Sequence, residues 1–198
     1  MSTIGFAIGN GESRKDFDLE KLRGHGVIYG CNALYRDFEP DVLCALDNNV
    51  LLEITQSGYK GVIGKFNKTH KQAIVGDKSL PVMPPRALGR IWYTGIAALW
   101  IMGQQNPDVK SVFCLGYDLY DSKTNNIYKG SLNYERMGLS NMQFKAFREQ
   151  VFDYYPEKSY YFVHDDLKRP DEWLSATNVF YMDYETFELD WFEGFRGI

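Results

Sequence analysis

The sequence predicts an α/β domain, a mostly parallel sheet with helices on both faces, and three observations carry that prediction. Short apolar runs of strand length alternate with helix-length segments through the first three quarters of the chain. The runs are nearly continuous in apolar residues, as strands buried on both faces are. Compact polar or glycine-rich groups follow several of them, as in Gly9-Asn10-Gly11 and Gly116-Tyr117-Asp118.

Ile4 to Ile8 reads as a buried first strand. It breaks into Gly9-Asn10-Gly11 and then Glu12-Ser13-Arg14-Lys15, a tight turn that opens a helix. Phe17, Leu19 and Leu22 are assigned to that helix, which stops near Gly24-His25-Gly26. Val27 to Cys31 is a second strand and Asp41 to Leu46 a third, with a helix starting in Val50-Leu51-Leu52-Glu53. Tyr59 to Phe66 contains a fourth. Residues 67–91 carry three of the seven prolines and little periodicity, and read as an irregular excursion near the site. Trp92 to Gln105 is a strongly apolar helix, and Val109 to Leu115 closes a strand–helix–strand unit.

Residues 117–141, rich in Tyr and Asn, read as a second irregular loop near the site. Met142 to Tyr154 is a helix, with Phe144, Phe147, Val151 and Phe152 at helical spacing. Tyr160 to Val163 is a late strand, and Asn178 to Tyr184 adds an edge strand. The whole of 1–198 is one domain, with 170–198 as a C-terminal extension. That extension mixes acids and aromatics, which suits packing across the domain or a homo-oligomer contact.

Composition narrows the function classes. The net charge of −4 argues against general nucleic-acid binding. The longest apolar run, Ile96 to Gly103, is too short for a membrane span, and the N-terminus lacks a signal segment. Cys31, Cys44 and Cys114 all lie in apolar runs, as free thiols of a cytoplasmic protein do, and no pair has metal-ligand spacing. With 14 Tyr, 13 Phe and 4 Trp, the chain can build a core while keeping hydroxyls at polar sites.

In a sheet of this kind ligands bind at the carboxyl ends of the strands. Those ends are Gly9-Asn10-Gly11, Cys31-Asn32, Ala45-Leu46-Asp47 and Leu115-Gly116-Tyr117-Asp118. Gly9 and Gly11 let the backbone approach a phosphate with its N–H groups outward. Asn32 both donates and accepts, which suits a ribose or base, or caps a turn. Asp47 accepts from ribose hydroxyls, acts as a base, or caps the next helix. Thr94 is an ordinary N-cap whose hydroxyl, with the Gly95 N–H, also fits a phosphate or base. Arg86 and Arg90 precede it and can neutralise a diphosphate. Tyr117 and Tyr120 can donate to a leaving phosphate or stack on a ring, and Asp118 can bind hydroxyls or serve as a base. Asp118 and Asp121 do not form a tight metal motif. His164, beside Asp165 and Asp166, is a candidate general base or a structural strand-end residue.

The blocks Gly9-Asn10-Gly11-x-Ser13, Cys31-Asn32, Thr94-Gly95 and Gly116-Tyr117-Asp118-Leu119-Tyr120 resemble bacterial lipooligosaccharide sialyltransferases, of the glycosyltransferase family 42 type. They also resemble the wider Rossmann-like group of motility accessory factors and archaeal pterin pyrophosphokinases. The resemblance spans roughly residues 3 to 165. It implies a single Rossmann-like nucleotide-binding domain, a CMP-sugar donor as substrate with no further cofactor, and catalysis without a metal. It places Asn10, Gly11 and Ser13 on the donor phosphate and ribose, and Asn32 on the cytidine. Thr94 and Gly95 then lie along the nucleotide and Gly116 and Tyr117 flank the base or sugar. Tyr120 or Tyr128 stabilises the departing phosphate. The chain departs from the pattern at Glu12, where the family has proline. It departs again at Met137-Gly138-Leu139, where the family's catalytic histidine lies. His164, Asp118 and Asp47 remain as candidate bases. A magnesium-dependent pyrophosphokinase-like phosphotransferase and a non-catalytic nucleotide-sequestering domain are the alternative expectations.

Overall fold

In the computed structural model, residues 4–67, 72–82, 93–118, 126–134, 142–166 and 169–189 are described below. Among the described residues nine strands form one sheet: β1 (Ile4–Ile8), β2 (Val27–Cys31), β3 (Val42–Cys44), β4 (Ile63–Asn67), β5 (Gln72–Val75), β6 (Lys78–Val82), β7 (Ser111–Leu115), β8 (Ser159–Val163) and β9 (Val179–Met182). Their spatial order is β6-β5-β4-β3-β2-β1-β7-β8-β9. Every pair from β4 to β9 in that order is parallel, and β5 and β6 are antiparallel. This is the α/β, mostly parallel architecture the alternation predicts.

Alternation along each strand divides the core in two. Ala7, Cys31, Cys44, Cys114 and Phe162 face a layer containing α2 (Thr94–Gln105), α3 (Met142–Phe147) and Trp173. Phe6, Ile8, Leu43, Phe113 and Val163 face the other, with α1 (Asn48–Gln56), Leu22 and Phe38. Helices cover both faces, and all three cysteines are buried free thiols. Residues Ile96 through Gly103 of α2 are buried on all sides, which explains why this helix shows no amphipathic period.

Several local features differ from the sequence reading. The residues after Gly11 form two short 3₁₀ turns, Glu12–Arg14 and Leu19–Leu22, in place of a continuous helix. Asp18 caps the second by accepting from the Glu20 N–H at 3.0 Å, and Gly24 at φ +81° ends it. Phe17, Leu19 and Leu22 are buried all the same. The proline-bearing excursion contains the β5–β6 hairpin, turned at Gly76-Asp77 with Gly76 at φ +56°. Pro81 lies on the edge strand, between Ser79 and Val82 where the pairing with β5 shifts register.

The helix expected through Tyr154 changes at Arg148–Phe152 to π geometry, with the Asp153 N–H donating to the Arg148 carbonyl at 2.9 Å. Phe147 and Phe152, five residues apart, thereby come together 6.2 Å apart, and both pack on Trp173. Of the C-terminal extension, Phe187 is fully buried against Phe6, Phe17 and Phe113, so its described part packs across the domain. No helix among the described residues is long and apolar enough to cross a membrane.

Candidate functional site

The chain steps outward from β1 to β2, β3 and β4, then returns to place β7 on the other side of β1. The order therefore reverses between β1 and β7, and the carboxyl ends of these strands flank the crevice where sheets of this kind take ligands. Gly9-Asn10-Gly11 leaves β1 there and Gly116-Tyr117-Asp118 leaves β7.

The two glycine turns bind each other. The Gly9 N–H donates to the Leu115 carbonyl and the Gly11 N–H to the Gly116 carbonyl, each at 2.8 Å, prolonging the β1–β7 ladder past the strands. A Cβ at Gly9 would lie under 3.0 Å from the Gly116 carbonyl oxygen, and one at Gly11 equally close to the Asp118 carboxylate. Gly116 adopts φ +69°. These glycines thus serve the approach of two backbones, and the Gly9 and Gly11 amides are not held outward.

The Ser13 amide, in the turn the sequence offers to an external anion, is taken by Asp118. Its carboxylate accepts the Ser13 N–H at 2.8 Å and the Ser13 hydroxyl. His164, at the end of β8, sets Nε2 3.7 Å from the same carboxylate. The His164 Nδ1 accepts the Asp166 N–H at 2.8 Å, which puts the proton of the neutral ring on Nε2, toward Asp118. Burial pushes the Asp118 carboxyl above the usual carboxylate range, and the Ser13 bonds and His164 oppose that rise. The Asp118 side chain is 3 % exposed and that of His164 33 %.

Asn32, at the end of β2, sits at φ +52° and accepts from the Thr94 hydroxyl at 3.0 Å. Thr94 is therefore not the cap of α2: Tyr93 occupies that position and makes no side-chain capping bond. Asn10 donates through Nδ2 to the Tyr134 hydroxyl at 3.4 Å, while its Oδ1 is buried without a partner among the described residues. Tyr117 turns inward. Its hydroxyl donates to the Gly95 carbonyl at 3.2 Å, and its ring lies edge-on to Phe147 and Phe162. A Cβ at Gly95 would press on that ring.

Asp47 caps α1, accepting the Asn49 N–H at 2.8 Å, at the end of β3 and two strands from β1. The structure thus brings Ser13, Asp118 and His164 into one cluster and joins Asn32 to Thr94, while Asp47 and Tyr117 have local structural partners. Tyr120, Arg86, Arg90 and Asp121 lie outside the described residues.

One feature, the burial of Arg14, escaped the sequence reading, which expected an irregular loop over 117–141 near the site. Residues 126–134 form a strap docked on the site: Ile127 N–H donates to the Asn10 carbonyl, Arg36 holds Ser131, and Asn133 holds Glu53. Arg14 is buried beneath the turn, donating through Nε to the Gly9 carbonyl at 2.7 Å and through Nη2 to the Tyr128 hydroxyl at 3.1 Å. Tyr128 in turn donates to Asp37 at 2.5 Å. The one available signal was a basic residue immediately after the glycine turn, which resembles any solvated arginine.

Comparison of the chain with protein-family models, curated proteins and solved structures finds no match to any of them.

Proposed function

We propose that the chain is a cytoplasmic glycosyltransferase that takes a nucleotide-activated sugar, with a CMP-sugar favoured, and transfers the sugar to an acceptor hydroxyl. The observation that carries this reading is the convergence of Asn10, Asn32, Thr94, Asp118 and His164 at the carboxyl ends of β1, β2, β7 and β8 and the start of α2, around the strand-order reversal. The unpartnered Asn10 Oδ1 suits a ribose hydroxyl or an exocyclic amine as donor.

In the proposed reaction the acceptor oxygen bonds to the anomeric carbon as the bond from that carbon to the phosphate oxygen breaks, and the nucleotide leaves with the electron pair. His164 takes the hydroxyl proton at Nδ1 once that atom is released from the Asp166 amide, and the Asp118 carboxylate 3.7 Å from Nε2 stabilises the imidazolium that forms. Asp47 is the second candidate base.

The residues Met137-Gly138-Leu139, where the resemblance implies a catalytic histidine, favour a non-catalytic nucleotide-binding domain instead. The Gly9, Gly11 and Ser13 amides are already donated within the chain and are not free for a phosphate.

The test is thermal stabilisation by CMP-, UDP-, GDP- and ADP-sugars, and by ATP with and without Mg²⁺. A metal-independent shift with one sugar nucleotide, reduced in Asn10→Ala and Asn32→Ala, is expected. Turnover lost in His164→Gln with binding retained identifies the transferase; tight binding without turnover in the parent identifies the sequestering domain. A shift only with ATP and Mg²⁺ moves the reading to phosphotransfer, and no shift with any of them rejects a nucleotide site.

A further inference from the structure

Arg14 is 4 % exposed, yet among the described residues it forms no ion pair. Arginine is seldom buried this fully without a carboxylate, because an uncompensated charge in low dielectric is costly. Its present partners are a carbonyl and a phenol, Gly9 O and Tyr128 Oη. The nearest compensation is at one remove, through Tyr128 to Asp37. Nη1 has no acceptor among the described residues. The carboxylate that closes on the turn, Asp118, is taken by Ser13 and faces His164.

The position is as telling as the burial. The Arg14 stem lies against Gly116, whose Cβ would meet its Cδ at 3.0 Å, and its Nε holds the carbonyl of Gly9. The guanidinium therefore sits under the crossing of the β1 and β7 turns, where the strand order reverses. A fixed, planar, permanently charged donor at that point matches phosphate oxygens.

We propose that Arg14 is the anion receptor of the site and binds a phosphate of the nucleotide, an assignment that rests on the nucleotide reading above. It supplies the positive charge that the glycine turn, with its amides engaged, does not.

The experiment is calorimetric titration of the full chain and of its Arg14→Lys and Arg14→Met variants with CMP, AMP, cytidine, adenosine and inorganic pyrophosphate. The parent should bind one nucleotide about 10- to 100-fold more tightly than its nucleoside, as expected of a charge-assisted hydrogen bond. Arg14→Met should erase that difference, and Arg14→Lys should keep part of it. A preference for nucleotide that persists in Arg14→Met overturns the assignment and leaves the nucleotide reading standing. Pyrophosphate binding that needs Arg14, without any nucleotide binding, keeps Arg14 as an anion receptor but overturns its assignment to a nucleotide phosphate and rejects that reading. No anion binding by the parent overturns both. If the variants do not fold, nitrogen-15 spectra of the parent's arginine side chains decide: a buried, exchange-protected Nε–H that shifts with CMP or AMP and not with the nucleosides is the supporting result, and its constancy the overturning one.

Discussion

Asp118 binds Ser13 twice, through its backbone N–H and its hydroxyl, and so closes the turn after β1 onto the turn after β7. The protein supplies its own anion where an external one was expected. Removing it should be costly: Asp118→Ala should lose about 1.5–3 kcal/mol, the worth of hydrogen bonds to a charged group. Ser13→Ala should lose a comparable amount, and the double variant less than the sum, because the two share one interaction. Urea unfolding of the three variants checks this, and full additivity would contradict the shared contact.

The same carboxylate sets a pH dependence. Folding raises its proton affinity, because burial outweighs the Ser13 bonds and His164. Its contribution is then fully present below the unfolded carboxyl pKa, about 3.9, and is lost as pH rises through the higher folded value. Stability of the parent relative to Asp118→Asn should fall with rising pH over that window. A difference that instead grows with pH would mean that His164 and Ser13 dominate.

The glycines separate close approach from conformational need. Gly9→Ala and Gly11→Ala place a methyl group where the Gly116 carbonyl and the Asp118 carboxylate already lie. Each should cost about 1–3 kcal/mol or more by overpacking. Gly24 has open space around it and φ +81°, so Gly24→Ala should cost only about 1–2 kcal/mol of left-handed strain. Melting temperatures of the three variants rank them.

Asn32 carries both strain and a bond, with φ +52° and its oxygen on the Thr94 hydroxyl. Asn32→Gly loses the bond alone, whereas Asn32→Ala loses the bond and keeps the strain. The alanine variant should therefore be less stable than the glycine variant by about 1 kcal/mol, measured by denaturant unfolding. Equal stabilities would show that the strain is absorbed elsewhere.

Lys158 is buried with Nζ donating to the carbonyls of Asn106, Pro107 and Val109, the last at 2.6 Å, just beyond the end of α2. Lys158→Met keeps the stem and strands three acceptors, the Val109 carbonyl among them buried. It should cost about 1.5–3 kcal/mol, read from urea unfolding, and a neutral result would remove the lysine from the account of how α2 ends.

The alternation of buried runs determined the sheet, because strands covered on both faces need unbroken apolar sequence and their connections need helix length. It also located the strand ends, since glycine and asparagine leave a strand in ways bulkier residues cannot. Local pattern did not reach the 3₁₀ turns after Gly11, where the Asp18 cap and Gly24 cut the helical segment short, nor the β5–β6 hairpin behind its prolines. What only the tertiary structure decided is the pairing across the chain: Ser13 with Asp118 at a separation of 105 residues, Arg14 with Tyr128 at 114. A buried charge is identified by what surrounds it, and Arg14 acquires its surroundings only when β7 and the 126–134 strap close on the turn after β1.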